Sequence, residues 1–246
     1  MSNIAAERGA GAAVNAPTVN EFVYHRLKED ILWGGFAPND RLRFDELRDR
    51  YGVSFSSLRE ALSRLAGDGL VEIESHKGAR VATVNTADFK DLVAVRQIVE
   101  VNCLKRAIEL GDDRWEADAL AAFHMYESYL RSVRASEPGA LRTRVERHNS
   151  FHTSLMSACD SPRLLNLRVV LATQAERYLT LAYRTVPANV DEMLRDHESL
   201  LRAAIERRSS LACAILHDHI GSASERLLMK LEEAEQGTAA KVASVR

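Results

Sequence analysis

The hydrophobic periodicity of this 246-residue chain changes twice along its length. Apolar residues first recur every three or four positions, as on the buried face of a helix. They then alternate with polar residues across 70–74, which is the period of a β-strand. After Asn85 the helical spacing returns and continues almost to the end of the chain. This order predicts a mainly α protein, in which a small domain of helices and one hairpin precedes a second, all-α domain.

The small domain is predicted to span 18–85. Its elements are expected to be helices near 19–33, 44–51 and 55–67, then strands at 70–74 and 80–84 joined by a turn at 76–78. Ser54 follows a tight turn that contains Gly52, and a serine in this place is a good N-cap for the third helix. Three helices and a small hairpin within about 65 residues form the layout of a winged helix-turn-helix.

The second domain is predicted to span 86–235 as a compact, antiparallel helical bundle. Its six helices are expected near 87–110, 113–136, 138–159, 161–185, 190–208 and 210–235. The breaks between them contain glycine, proline or serine, which end helices. Residues 1–17 are rich in Ala, Gly and Asn and are expected to form a disordered tail, and 236–246 are expected to form a frayed one.

Composition limits the function classes. The formal net charge is −2, so the chain as a whole has no basic signal for nucleic acid. Residues 18–84 contain ten basic and eleven acidic side chains, whereas 41–64 contain six and four. DNA binding and a helical domain without a nucleic-acid role are therefore both open at this point. Three cysteines without a C-x-x-C pair fit a reducing cytoplasm, and no apolar run is long enough to predict a membrane span.

The third predicted helix carries the candidate DNA-contacting side chains. Its leucines at 58, 62 and 65 share one face. Burial of that face leaves other positions more outward, namely Phe55, Ser56, Ser57, Arg59 and Ser63. Hydroxyl groups and a guanidinium suit contacts with phosphates and base edges.

The run GVSFSSLREALSRL at 52–65 resembles the recognition-helix signature of the GntR family of bacterial regulators, and 69–71 and 76–81 resemble its wing. The resemblance implies a transcriptional regulator that binds double-stranded operator DNA. The contacts it implies are Arg43, Ser54, Phe55, Ser56, Ser57, Arg59 and, at the hairpin tip, Lys77. Phe55 stands where the family usually has arginine, and a second arginine common near Asp45 is also missing. Phe55 can contact a thymine methyl group or fold back onto the domain, and the sequence leaves both open.

Four histidines of the helical domain are candidate metal ligands. His148 and His152 are four residues apart, which places them on one face of a helix. His197 and His219 lie on two later predicted helices. Imidazoles from several helices of a bundle can converge on a metal ion, but spacing alone does not establish that these helices meet.

Residues 88–230 resemble the FCD domain, the effector domain of the FadR branch of GntR regulators. The resemblance rests on the helix motif at 95–100, on Phe151-His152, on the Asp-His-Glu at 196–198 and on His219-Ile220. It implies a metal site at His148, His152, His197 and His219. The FCD pattern usually has Asp or Asn where His148 stands. Four nitrogen ligands favour a divalent ion such as zinc or nickel over manganese or magnesium.

Arg96 is the main candidate for binding the carboxylate of a small effector, although it can equally pair with Glu100 one turn away. Arg177 and Tyr183 are further candidates for the pocket wall. The sequence thus favours a cytoplasmic, homodimeric regulator controlled by a small organic acid. Two alternatives remain: a metal-dependent hydrolase with a histidine site, and an interaction module in which the histidines are incidental.

Overall fold

The computed structural model of the chain describes residues 18–74, 78–132, 137, 139–185 and 189–243. Its elements are α1 (Val19–Trp33), β1 (Arg41–Leu42), α2 (Phe44–Tyr51), α3 (Phe55–Gly67), β2 (Val71–Glu74), β3 (Gly78–Val81), α4 (Thr86–Leu110), α5 (Asp113–Ser132), α6 (Ala140–Met156), a 3-10 turn (Ser157–Cys159), α7 (Pro162–Thr185), α8 (Val190–Ile205) and α9 (Ser209–Ala243). The predicted mainly α fold, with a winged helix-turn-helix before a helical domain, is confirmed.

The small domain forms because α1 and α3 bury their apolar faces against each other. Leu27, Leu58 and Leu65 have no exposed surface. Thr18 caps α1 through a capping box with Glu21, which satisfies backbone N–H groups at the start of the helix. Between α2 and α3 the chain turns at Gly52, where a φ of 66° suits a residue without a Cβ.

The wing is a three-stranded antiparallel sheet in the order β1-β3-β2. The sequence predicted β2 and β3 but not β1, whose two residues are too few to show a periodicity. β3 is Gly78–Val81, so the prediction of 80–84 placed it too late along the chain. The predicted turn at 76–78 and the side chain of Lys77 lie largely outside the described residues, as does the predicted tail at 1–17.

The helical domain is built around α4, which packs against α6, α7 and α9. Cys103, Leu104 and Ala107 on α4 are completely buried. The predicted helix at 138–159 divides into α6 and the 3-10 turn, and α9 remains helical through Ala243, into the segment expected to fray. Among the described helices, none has the length and apolar character needed to cross a membrane.

Polar side-chain contacts join the two domains in the described part of the chain. Arg177 of α7 donates from Nη1 to the carbonyl oxygens of Ala82 and Thr83, at 3.1 and 3.3 Å, in the segment between β3 and α4. Arg142 of α6 forms an ion pair with Glu29 of α1. Lys28 of α1 donates to the hydroxyl of Thr173 on α7 at 3.3 Å. The helical domain therefore contacts both the first helix of the small domain and the linker that follows the wing.

Candidate metal centre and DNA-binding surface

The structure brings the four predicted histidines together. His148 and His152 lie on α6, His197 on α8 and His219 on α9. One ring nitrogen from each lies within 4.8 Å of the others. The first three side chains are buried, with residue exposures of 7%, 5% and 1%, and His219 is partly buried. Helix packing thus supplies the convergence that residue spacing alone left open.

Hydrogen bonding orients the imidazole ring of His197. Its Nδ1 lies 2.6 Å from the carbonyl oxygen of Met193, so Nδ1 carries the proton and Nε2 keeps its lone pair. Nε2 of His197 and Nδ1 of His152 are buried and have no hydrogen-bond partner among the described residues. The Nε2 atoms of His148 and His152 face each other at 3.2 Å. Buried ring nitrogens without partners are costly, and coordination to an ion would satisfy such a lone pair.

The surroundings keep these imidazoles neutral. Burial lowers the pKa of His148 and of His152 well below the usual value, and the positive charge that neighbouring histidines would carry lowers both further. Burial lowers the pKa of His197 to about 4, against a smaller opposing effect of the Met193 carbonyl. A neutral imidazole is the form that binds metal.

The donor set fits a divalent transition-metal ion. Four imidazole nitrogens, three of them on buried residues, match the preference of zinc, nickel or copper for imidazole. The bond from His197 to the Met193 carbonyl is the outer-shell contact that metal-bound histidines commonly make. His148, His152, His197 and His219 would hold such an ion.

Arginines surround the histidine cluster. Arg96 of α4 forms a 2.7 Å ion pair with Glu100, which is one of the two partners that the sequence allowed. Arg96 also helps to lower the pKa of His148, so its charge acts on the cluster. Arg168 of α7 does the same for His152, and Arg144 of α6 for His197. Arginine charges from α4, α6 and α7 therefore act on the histidine cluster.

Sequence reasoning missed Arg168, although a signal was present. Residues 164, 168, 171, 175 and 178 follow the spacing of a buried helix face, and Arg168 is the charged member of that set. Its side chain is buried, with a residue exposure of 5%. A cation at a core position of an amphipathic helix is a departure from the hydrophobic pattern that marks a candidate site.

Two residues were predicted to line the effector pocket, Arg177 and Tyr183. Arg177 was expected in the effector pocket, but its guanidinium binds the backbone of Ala82 and Thr83 at the domain junction. A long side chain on α7 can reach either side of the helix, and the interdomain carbonyls supply its acceptors. The side chain of Tyr183 lies outside the described part of the chain.

The start of α3 forms the candidate DNA-binding surface. The Oγ of Ser54 accepts a hydrogen bond from the backbone N–H of Ser57, as predicted for an N-cap. Ser57 was expected to point outward, but it is buried, at 9% exposure, and its hydroxyl lies 3.1 Å from that of Ser54. Ser56 is exposed and its hydroxyl lies 2.8 Å from that of Ser54.

Phe55 folds partly back onto the domain, which is one of the two behaviours that the sequence left open. Its ring stacks on Phe44 of α2 at a centroid distance of 5.1 Å, yet 46% of the residue remains exposed. Arg59 is exposed and forms no hydrogen bond or ion pair with the described residues. Arg43 is exposed and pairs with Glu46 at 3.4 Å. Arg59 is therefore the cation on this face that is most available for an external anion.

This architecture, a winged helix-turn-helix followed by a helical domain with an internal histidine cluster, defines the class of DNA-binding regulators with a separate effector domain. The family model described as "Bacterial regulatory proteins, gntR family" matches residues 19–81, and the FCD domain model matches 91–222. The chain belongs to the GntR family and carries an FCD domain, and it is a DNA-binding transcriptional regulator of this type. The architecture is consistent with the FadR branch.

Known relatives agree with this assignment. The HTH-type transcriptional repressor GlaR of Escherichia coli K12 is 36% identical over 201 residues, which cover 80% of this chain and 90% of GlaR. BphR of Paraburkholderia xenovorans LB400, named an uncharacterized HTH-type transcriptional regulator, is 33% identical over 211 residues, covering 85% of this chain and 84% of BphR.

Solved structures share the fold. A GntR family member from Pseudomonas syringae pv. tomato DC3000 is 26% identical, with a TM-score of 0.53 and 89% of each chain covered. Escherichia coli McbR/YncC is 18% identical, with a TM-score of 0.73, and the match covers 87% of this chain and 99% of McbR/YncC.

Proposed function

We propose that this protein is a cytoplasmic, homodimeric regulator whose binding to operator DNA is controlled by a small carboxylate bound at a metal-containing site in the FCD domain. The observation that carries the proposal is the convergence of four histidine side chains within 4.8 Å, three of them buried. Zinc and nickel are the ions that best suit four imidazole ligands.

The proposed chemistry divides between the ion and the chain. A divalent ion held by the four imidazoles would supply a Lewis acid that attracts a carboxylate oxygen. Arg96, held by Glu100, adds a positive charge beside His148 that favours an anionic effector. His197 keeps its ligand nitrogen oriented through the Met193 carbonyl.

Operator recognition is assigned to the beginning of α3. Ser54, Phe55, Ser56 and Arg59 present hydroxyl, aromatic and guanidinium groups at the helix end that enters the major groove in this motif. Ser57 contributes by capping geometry rather than by outward contact, since its hydroxyl is buried beside Ser54. Because one recognition helix reads only a few base pairs, two copies on a palindromic site are expected.

Metal content is tested on protein purified without a His-tag. Elemental analysis should give about one divalent ion per chain for the wild type, and His197→Ala should lose most of it. His124→Ala is the matched control, because His124 is an exposed histidine on α5 outside the cluster. Wild-type protein without near-stoichiometric metal, even after reloading, would contradict the metal site.

Regulation is tested by gel shift against the DNA that flanks the protein's own gene, with and without metal and with a panel of small carboxylic acids. The proposal expects specific binding that a particular acid changes, and expects His197→Ala to lose that response. A metal-binding chain that ignores this DNA but hydrolyses a substrate would favour the enzyme alternative instead. A chain that binds neither metal nor DNA would leave the interaction-module alternative.

A further inference from the structure

Arg168 is a buried cation whose hydrogen-bonding capacity is only partly used. It lies on the buried face of α7, and its Nη1 donates to the hydroxyl of Thr153 on α6 at 3.0 Å. Its Nε is buried and has no hydrogen-bond partner in the part of the chain that the structure describes. A guanidinium presents five N–H donors in a fixed fork, and a buried donor without an acceptor destabilises the fold.

The carboxylate of Glu100, whose negative charge acts on Arg168, already forms an ion pair with another arginine. Glu100 acts on Arg168 electrostatically, but its Oε1 accepts the 2.7 Å ion pair from Arg96. Two cations and one anion leave one positive charge in a region where Glu100 is 1% exposed. Burial accordingly lowers the pKa of the Arg168 guanidinium, which still remains protonated. An uncompensated buried charge is costly unless a ligand neutralises it.

Arg168 also belongs to the surroundings of the histidine cluster. Its charge lowers the pKa of His152, a proposed metal ligand on α6. Arg96 and Arg144 act in the same way on His148 and His197. The four histidines contribute no negative charge, so a single carboxylate bound at the cluster would leave the cationic surroundings only partly neutralised.

We infer that Arg168 binds a second carboxylate of the effector, so that this site selects small dicarboxylates over monocarboxylates. The inference rests on the proposed function, in which the first carboxylate binds at the histidine cluster. The Nε–H of Arg168 and a neighbouring guanidinium N–H can donate two parallel hydrogen bonds to one carboxylate. Thr153 holds the guanidinium in place through Nη1.

The test compares matched acids on the full-length, zinc-loaded protein by calorimetry. Linear dicarboxylates of four to six carbons are each paired with the monocarboxylate of the same carbon number. The wild type should bind the best dicarboxylate at least about tenfold more tightly than its partner, as expected for a hydrogen-bonded charge pair. Arg168→Gln should weaken dicarboxylate binding about tenfold more than monocarboxylate binding, so that the preference disappears.

Two further variants separate the role of Arg168 from general effects. Arg163→Gln removes the same charge from an exposed position of α7 and should leave the preference unchanged. Arg168→Lys keeps the charge but loses the planar fork, so it should retain part of the preference. Metal content of Arg168→Gln should match the wild type, which shows that the histidine cluster remains assembled.

The outcomes distinguish this inference from the proposed function. If the wild type binds metal and both classes of acid equally well, or if Arg168→Gln keeps the dicarboxylate preference, the role of Arg168 is wrong and the metal-carboxylate site stands. If the wild type binds neither metal nor any acid of the series, both proposals fail. A preference that disappears in Arg168→Gln and persists in Arg163→Gln supports the second carboxylate site.

Discussion

Arg59 provides the most direct test of the DNA-binding surface at the scale of single residues. It is exposed near the start of α3 and forms no hydrogen bond or ion pair with the described residues. Arg59→Ala should therefore leave the fold intact and weaken operator binding by about 1–3 kcal/mol, or roughly 5- to 150-fold. Fluorescence anisotropy with labelled operator DNA measures this loss.

The control for Arg59 is Arg114→Ala, which removes an equal charge from an exposed residue of α5 that pairs with Asp118. It should bind the operator as the wild type does. Operator affinity that Arg59→Ala leaves unchanged would place the recognition surface elsewhere. A uniform loss on all DNA sequences would instead assign Arg59 to phosphate contact.

The buried histidines predict a pH dependence of the metal-free protein. The pKa of His197 is about 4 in the folded chain, below the usual value of 6.5, and those of His148 and His152 are lowered as well. Because the unfolded chain then binds more protons, folding stability should fall as pH decreases from about 6.5 toward 4. Each histidine contributes up to ~1.4 kcal/mol per pH unit in this window.

Urea unfolding of the chelator-treated protein across this pH range measures the slope. His197→Asn should reduce it, because one buried titrating group is removed, whereas replacement of the exposed His124 should leave it unchanged. Equal slopes for wild type and His197→Asn would mean that the His197 imidazole is exposed to water in solution and not buried. Zinc should raise the melting temperature near neutral pH, and this gain should disappear at low pH as protons displace the ion.

Residue-level prediction from the sequence named the four histidines that the structure brings together. His148 and His152 share a helix face by spacing, His197 and His219 lie on later helices, and the FCD resemblance joined the four into one proposed metal site. Ser57 was misjudged because a three-residue offset from the N-cap turns its side chain inward, toward the Ser54 hydroxyl. The partners of Arg177 could not be predicted, since they are backbone carbonyls of a distant segment whose position depends on domain packing.

At the scale of elements, α7 links the helical domain to the segment that leads out of the wing. The Nη1 of Arg177 satisfies the carbonyls of Ala82 and Thr83, just before Asn85 caps α4. Arg177→Gln should free this segment and reduce the effect of the acid on operator binding. Affinity for the acid itself should stay within about twofold of the wild type, because the guanidinium lies at the junction.

Calorimetry for the acid, together with anisotropy for the operator, separates the two roles considered for Arg177. A large loss of acid affinity would indicate that Arg177 binds the acid in the effector pocket. Arg163→Gln on the same helix is again the matched control. Loss of the two hydrogen bonds should also cost about 1–3 kcal/mol of stability, since the Ala82 carbonyl belongs to a residue that is 7% exposed.

The accuracy with which each helix or strand was predicted depended on the length of its hydrophobic pattern. The long helices α4 and α7 were placed to within one residue at each end because they extend over several turns of apolar periodicity and end at glycine, serine or proline breaks. β1 was missed because Arg41–Leu42 joins the sheet only through pairing with β3, which is a long-range contact. The boundary of β3 was misplaced because valine and threonine after Val81 also favour strands.

At the scale of the whole molecule, the proposed function requires two binding events to be coupled through one chain. The histidine cluster lies on α6, α8 and α9, and α6 also contacts the small domain through the Arg142–Glu29 ion pair. A ligand that touches several helices can therefore bias the placement of the DNA-binding domains. Sedimentation should show two copies of the chain on one palindromic operator. The protein then contributes about twice the 27.4 kDa chain mass to the complex.

Coupling of this kind is reciprocal by thermodynamic linkage. If the effector changes operator affinity by a given factor, operator DNA must change effector affinity by the same factor, typically 5- to 150-fold or about 1–3 kcal/mol. Calorimetric titration of the acid into zinc-loaded protein, with and without saturating operator, measures one side, and anisotropy with and without saturating acid measures the other. The two factors should agree. His197→Ala should bring both close to one, and an acid that binds wild type, metal-free protein and His197→Ala equally well would make the histidine cluster structural while leaving the protein a DNA-binding regulator.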